Sequence, residues 1–239
     1  MNVNGDTVTN EGRDRLLGDA SGFLVTIGYA MMLKSNRDAS RSAQAVATCV
    51  QVTGDLATGI RRLIGDRSYY SAAGLGRQVL ESVQLIQYLA ANPDRAEFWL
   101  TATDNQISRA SDFRPGRLRA ATASNDRTYS RHCFLGGHPR YIARMLLPGS
   151  PWRRPDEIID LSSAGFDIQT DLQALLLADS LQHLYDAVLV TIDYLDVEAF
   201  HELGSLKDRS VNLTDELVKS LVEWKRTDPL AKVGPNEGG

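Results

Sequence analysis

The sequence predicts an all-α protein, a multi-helix bundle of about six to eight helices. Three observations predict it. Apolar residues recur at helical spacing over long stretches, no strand-like alternation runs long enough to compete, and no dinucleotide signals a hairpin. One irregular Pro/Gly-rich excursion interrupts the pattern at 136–156, where Pro139, Pro148, Pro151 and Pro155 crowd together.

Each element has its own signal. The first helix is expected over Glu11 to Lys34, between a polar tail at 1–10 and a turn. Asp38 reads as the N-cap of a second helix to Ile64, which Gly65-Asp66 ends. The third covers Tyr69 to Ala91 and stops at Asn92-Pro93. Asp94 then reads as the cap of a fourth helix to about Ser111, followed by an irregular, arginine-bearing connection at 112–124. A helix from about Asn125 is broken at Gly136-Gly137 and Pro139 and resumes to Leu147, and a short helix is expected at Asp156 to Leu161. The longest periodic segment runs from Asp167 to about Leu203. The last helix, Asp215 to Arg226, is preceded by Asn212 and Thr214 as caps. A single domain over 11–226 follows, with a second polar tail at 227–239.

Composition narrows the function. Only two cysteines occur, Cys49 and Cys133, without metal-type spacing, which points to a reducing, cytoplasmic setting rather than a disulfide framework. The most apolar run, Phe23 to Leu33, falls short of the roughly 20 residues a spanning helix needs, so no membrane segment is expected. The net charge of −4 argues against a generic nucleic-acid binder, but its distribution is uneven. Between Arg109 and Arg154 stand ten arginines and two acids, Asp112 and Asp126; the rest of the chain carries 16 basic against 28 acidic groups. A basic centre with acidic flanks suits RNA or another polyanion at 109–154.

Three groups of residues are candidates for a site. On the longest helix, Asp179, His183, Asp186 and Asp193 lie within roughly 80° of one another, opposite Leu177, Leu181, Leu184 and Val188. Asp-x-x-x-His is able to ligate a metal, but the amphipathic pattern makes this row the outward face. On the third helix, Arg77 and Glu81 form an i, i+4 pair, with Gln84 and Tyr88 on the same side. The pair is either solvent-exposed and weak or packed and positioning. The third group is Asp126-Arg-Thr-Tyr-Ser-Arg-His-Cys-Phe-Leu-Gly-Gly-His-Pro-Arg140. There a histidine moves protons near neutral pH and an arginine holds phosphate in bidentate fashion. His138, bracketed by Gly137 and Pro139, serves either a site or a helix kink whose freed carbonyl it satisfies.

Arg127 precedes His132 by four intervening residues and Arg131 precedes His138 by six, which resembles the Arg-x(4–6)-His motif of the HEPN group of helical ribonucleases. That resemblance implies a dimer interface where Arg127 or Arg131 holds the scissile phosphate. His132 or His138 acts as acid and base, and the RNA 2′-hydroxyl is the nucleophile. Thr128 departs from it, since Asn, Asp or His usually follows the arginine. More broadly, Gly76-Arg-Gln-Val-Leu-Glu-Ser-Val-Gln-Leu-Ile-Gln-Tyr-Leu89, then Tyr129-Ser130 and Gly137-His-Pro139, resemble a large bacterial all-helical family without an assigned activity. Over roughly 40–195 this implies that the Arg–Glu helix pairs with the histidine segment. Arg77, Glu81, Tyr129 and Arg140 are then expected to bind, and no metal or cofactor is expected.

The sequence carries no Gly-x-x-x-x-Gly-Lys phosphate loop, no Gly-x-Ser-x-Gly elbow, no Cys-x-x-Cys and no His-Glu-x-x-His. The leading expectation is a binding or interaction module with a basic centre. The alternatives are a HEPN-like, metal-independent ribonuclease of defence or stress response, and a small-molecule or metal site inside the bundle that uses Glu81 with a histidine.

Overall fold

The computed structural model describes residues 9–122, 168–197 and 204–227. Among these the protein is an all-α bundle of eight α-helices without a strand. They are α1 (Asn10–Arg37), α2 (Arg41–Gly65), α3 (Tyr69–Ala91), α4 (Pro93–Thr101), α5 (Asp104–Arg109), α6 (Pro115–Ala121), α7 (Ile168–Val197) and α8 (Gly204–Thr227). A single 3₁₀ turn, Ser111–Phe113, links α5 to α6.

Helices α1, α2 and α3 are joined by two turns of the same design. Asp38 and Asp66 end their helices, Ala39 and Arg67 take left-handed φ values of 54° and 56°, and Ser40 and Ser68 begin the next helix. The amide of Ser40 returns to the Ser35 carbonyl, and that of Ser68 to the Leu63 carbonyl, which satisfies carbonyls that a helix end leaves open. This corrects the expected cap at Asp38. Its backbone (φ −85°, ψ 0°) is not the extended one an N-cap needs, and Ser40 accepts from the Ala43 amide instead. Asp38 instead pairs with Lys34 at 3.2 Å.

The core is aliphatic and continuous. Leu16, Leu17, Phe23, Leu24, Ile27 and Met31 of α1 are buried with Val46, Val50, Ile60 and Ile64 of α2. Helix α7 packs on α1, α2 and α3, and brings in Leu177, Leu181, Leu184 and Val188. Helix α8 covers α7 and α1 through Leu213, Leu217 and Leu221. At roughly 25 cal/mol per Å² of apolar surface, this burial is the main stabilising term. Helix α1 and the stretch Leu172–Leu195 of α7 are long and apolar enough to cross a membrane by length and composition, contrary to the expectation from the Phe23–Leu33 run. Half of the α1 window and 56% of that in α7 are buried inside the bundle.

Two further helices depart from expectation. The fourth breaks at Ala102-Thr103, where both residues are extended and the Thr103 amide donates to Gln106 Oε1 at 2.8 Å. The Thr-x-x-Gln capping signature overrides the helical run. Helix α8 starts eleven residues before Asp215, so Asn212 and Thr214 are interior; Thr214 Oγ1 donates to the Ser210 carbonyl. The helices expected at 125–147 and 156–161, and the excursion at 136–156, lie outside the described residues.

Candidate functional site

Helix α3 presents three different sides. Its apolar side faces the core. On a second side, Arg77 Nε donates to Glu81 Oε1 at 2.9 Å, with side-chain exposures of 27% and 30%. The pair is therefore half-buried, between the two alternatives the spacing allows, and both residues are engaged further. One turn on, Gln84 is fully buried and, among the described residues, both of its amide atoms lack a hydrogen-bond partner, as does Gln87 Oε1. A buried amide without partners costs about 1–3 kcal/mol, so this side of α3 is not a solvated one.

The third side lines a cleft of about 400 Å³. Gln78, Glu81 and Ser82 form its polar wall, at positions i, i+3 and i+4 of one helix. Apolar walls come from Val52 and Leu56 of α2, Leu85 of α3, Trp99 of α4 and Ile107 of α5. Phe113 and the α6 residues Pro115 and Leu118 close the far side.

The short helices that close the cleft are held to α3 by one polar cluster. Asp112 Oδ2 accepts from Tyr88 Oη at 2.9 Å and from Arg95 Nε at 2.6 Å. The Arg95 guanidinium lies 4.5 Å from the Phe98 ring centre and 5.2 Å from that of Phe113. These two rings stack 8° from parallel, and Tyr88 meets Phe113 edge-on. Burial pushes the Asp112 carboxyl up, but hydrogen bonds from Tyr88, from the backbone and from Arg95 outweigh it and hold the group below its usual value. Burial, then the bond to Asp112, pushes the Tyr88 phenol up. The sequence marks Asp112 only as one of two acids among ten arginines; its partners lie 24 and 17 residues away.

With Asp112 occupied, arginines dominate this edge. Arg109, Arg114 and Arg117 are exposed, and among the described residues their side chains meet no acid. Arg114 and Arg117 immediately precede Pro115 and Leu118, which line the cleft.

Of the expected site residues, only Arg77 and Glu81 fall within the described chain, and there they do meet. Arg127, Arg131, His132 and His138, with Tyr129 and Arg140, lie outside it. The acidic row of α7 is not the outward face it reads as. His183 is 2% exposed and 3.8 Å from Asp179, itself 13% exposed, while only Asp193 is exposed. The buried arc of α7 is wider than its leucine stripe, because α1, α2, α3 and α8 all pack on it. Burial pushes the Asp186 carboxyl up, against a hydrogen bond from Gln182. Cys49 is buried and its thiol is pushed up to about 12, which keeps it protonated and unreactive. Among the described residues no group of three or more His, Cys, Asp or Glu side chains converges on a metal position.

Compared with known proteins, the chain matches no family model, no curated protein and no solved structure.

Proposed function

We propose that the protein is a cytoplasmic helical binding module that takes up a polyanion, RNA foremost, along the arginine-rich edge of α5, the 3₁₀ turn and α6. The observation that carries this reading is the exposure of Arg109, Arg114 and Arg117 beside an acid already neutralised by Arg95. Free guanidinium groups on one edge bind phosphate in bidentate fashion and release counterions from a polyanion. Fluorescence anisotropy with labelled single-stranded RNA tests it. Affinity is expected to fall steeply with added salt, and replacing the three arginines by glutamine should lower it at least tenfold. Binding that is absent at low salt, or insensitive to both changes, overturns the reading.

A second reading makes the module a HEPN-like ribonuclease whose site forms between two copies, with Arg127 or Arg131 and His132 or His138 at the reacting phosphate. What supports it is the half-buried Arg77–Glu81 pair: the resemblance to the bacterial all-helical family without an assigned activity, a separate one from that to the ribonucleases, implies that this helix packs against the histidine segment. RNA cleavage in the presence of a metal chelator, lost in His132→Ala or in His138→Ala, is the expected result. Intact RNA after prolonged incubation removes it.

A further inference from the structure

We infer that the outward face of α8 is a docking surface for a second copy of this chain, with the two α8 helices antiparallel across a two-fold axis beside Leu217. The inference is independent of both functional readings and uses none of their residues.

The face is apolar where solvent alone would not require it. Among the described residues six large hydrophobic side chains are exposed, and three of them stand on this one helix: Val211 at 52%, Val218 at 38% and Val222 at 61%. At 100° per residue they fall, with Asp215, inside an arc of about 60°. Leu213, Leu217 and Leu221 lie on another side and are buried against α7 and α1. Helix α8 therefore carries two apolar stripes, and the bundle covers one of them. The valines recur at i, i+7 and i+11, the spacing of a helix–helix seam.

The charges beside the stripe select the occupant. Asp208 and Asp215 stand along its first half, Lys219 and Arg226 along its second, all four exposed and all on the same flank of the valines. The order is acid, acid, base, base. A second α8 laid parallel sets like charge against like. Laid antiparallel across a two-fold axis, the same flanks meet in reversed order, so each acid faces a base. Asp215 of one copy then faces Lys219 of the other, and Asp208 faces Arg226, each twice by symmetry, while Val211 lies against Val222. Arg226 is already held by Glu223 at 2.6 Å, so the Asp215–Lys219 contact is the stronger one; neither of these two meets an opposite charge among the described residues. The two acids also set this face against an anionic membrane, which calls for basic residues around the apolar stripe. The helix has 24 residues and is about 36 Å long. A seam one helix wide is at the small end of specific interfaces, which makes the dimer weak and reversible, with a Kd of roughly micromolar order.

Sedimentation velocity on the full chain across the micromolar range should show a monomer–dimer equilibrium. Val218→Glu, at an exposed position, should raise the Kd at least tenfold and leave the melting temperature of the monomer unchanged. Asp215→Lys and Lys219→Asp, each made alone, set like charges together and should each weaken the dimer several-fold. An equimolar mixture of these two variants should recover it, because each copy then offers the charge that the other lacks. A chain that stays monomeric throughout, a dimer that Val218→Glu leaves unchanged, or a mixture no better associated than either variant alone overturns the inference. A monomer that sediments with anionic phospholipid vesicles through the valines gives this face to lipid and overturns it as well.

Discussion

A Cβ added at Gly54 of α2 would lie 2.7 Å from the Ser21 carbonyl oxygen and 2.8 Å from the Val25 amide; one added at Gly116 of α6 meets nothing closer than 3.8 Å. The two glycines mark two kinds of construction. Helices α1 and α2 touch backbone to backbone, with Gly28 equally tight against Gln51 and Ala47, and a core of fully buried aliphatic side chains spreads from that seam. Helices α4, α5 and α6 are short, mostly exposed, and fastened by Tyr88, Arg95 and Asp112 rather than by a core of their own. Stability resides in the seam, and the short helices close a cleft against α2 and α3 and carry exposed arginines, where surface chemistry is not committed to burial.

The largest expected effect breaks the seam. Gly54→Val should cost about 3 kcal/mol or more in urea unfolding, because backbone atoms on the facing helix cannot yield. Gly116→Ala should be neutral or stabilise by up to about 1 kcal/mol, since space is open and alanine favours the helix. Equal costs at the two positions would erase the distinction.

The next effect concerns the fastening. Asp112→Ala strands Tyr88 and Arg95 and should cost about 1–3 kcal/mol. Hydrogen exchange should rise over 93–121 well before it rises in α1 and α2. The pH dependence has a definite sign. The Asp112 carboxyl is held below its ordinary value, so its contribution is present above the unfolded value of about 4 and is lost as pH falls through the folded one. Acid should therefore loosen the short helices of the parent protein more than those of the variant.

Asp186 carries the opposite sign. Its carboxyl is pushed up, so its favourable contribution is present below about pH 4 and lost as pH rises. Asp186→Asn should stabilise α7 near neutral pH by up to about 1 kcal/mol, the scale of a partly buried polar group. The gain should fade in acid; thermal melts at both pH values check it.

The smallest effect lies in the turns that close the seam. Ala39 holds a left-handed φ of 54° where glycine carries no steric penalty. Ala39→Gly should stabilise by a few tenths to about 1 kcal/mol. A loss instead would show that chain entropy outweighs the relieved strain.

Features that depend on neighbours along the chain are legible in the sequence without a structure. The all-α class, the span of α3 from Tyr69 to Ala91 and the Arg77–Glu81 pair all follow from propensity, turn residues and i, i+4 spacing. The polar groups chosen as caps misled it at Asp38, Asp94 and Asn212, because several residues compete for each helix end and only packing selects among them. Tertiary structure alone decided that His183 is buried, since the width of the buried arc on α7 is set by how many helices surround it. It alone joined Tyr88, Arg95 and Asp112, and it alone made a cleft from residues scattered between Val52 and Leu118. Hydrophobic periodicity records which face of a helix is apolar. It carries no record of which distant helix will cover that face, or of the space left where short helices cover it incompletely.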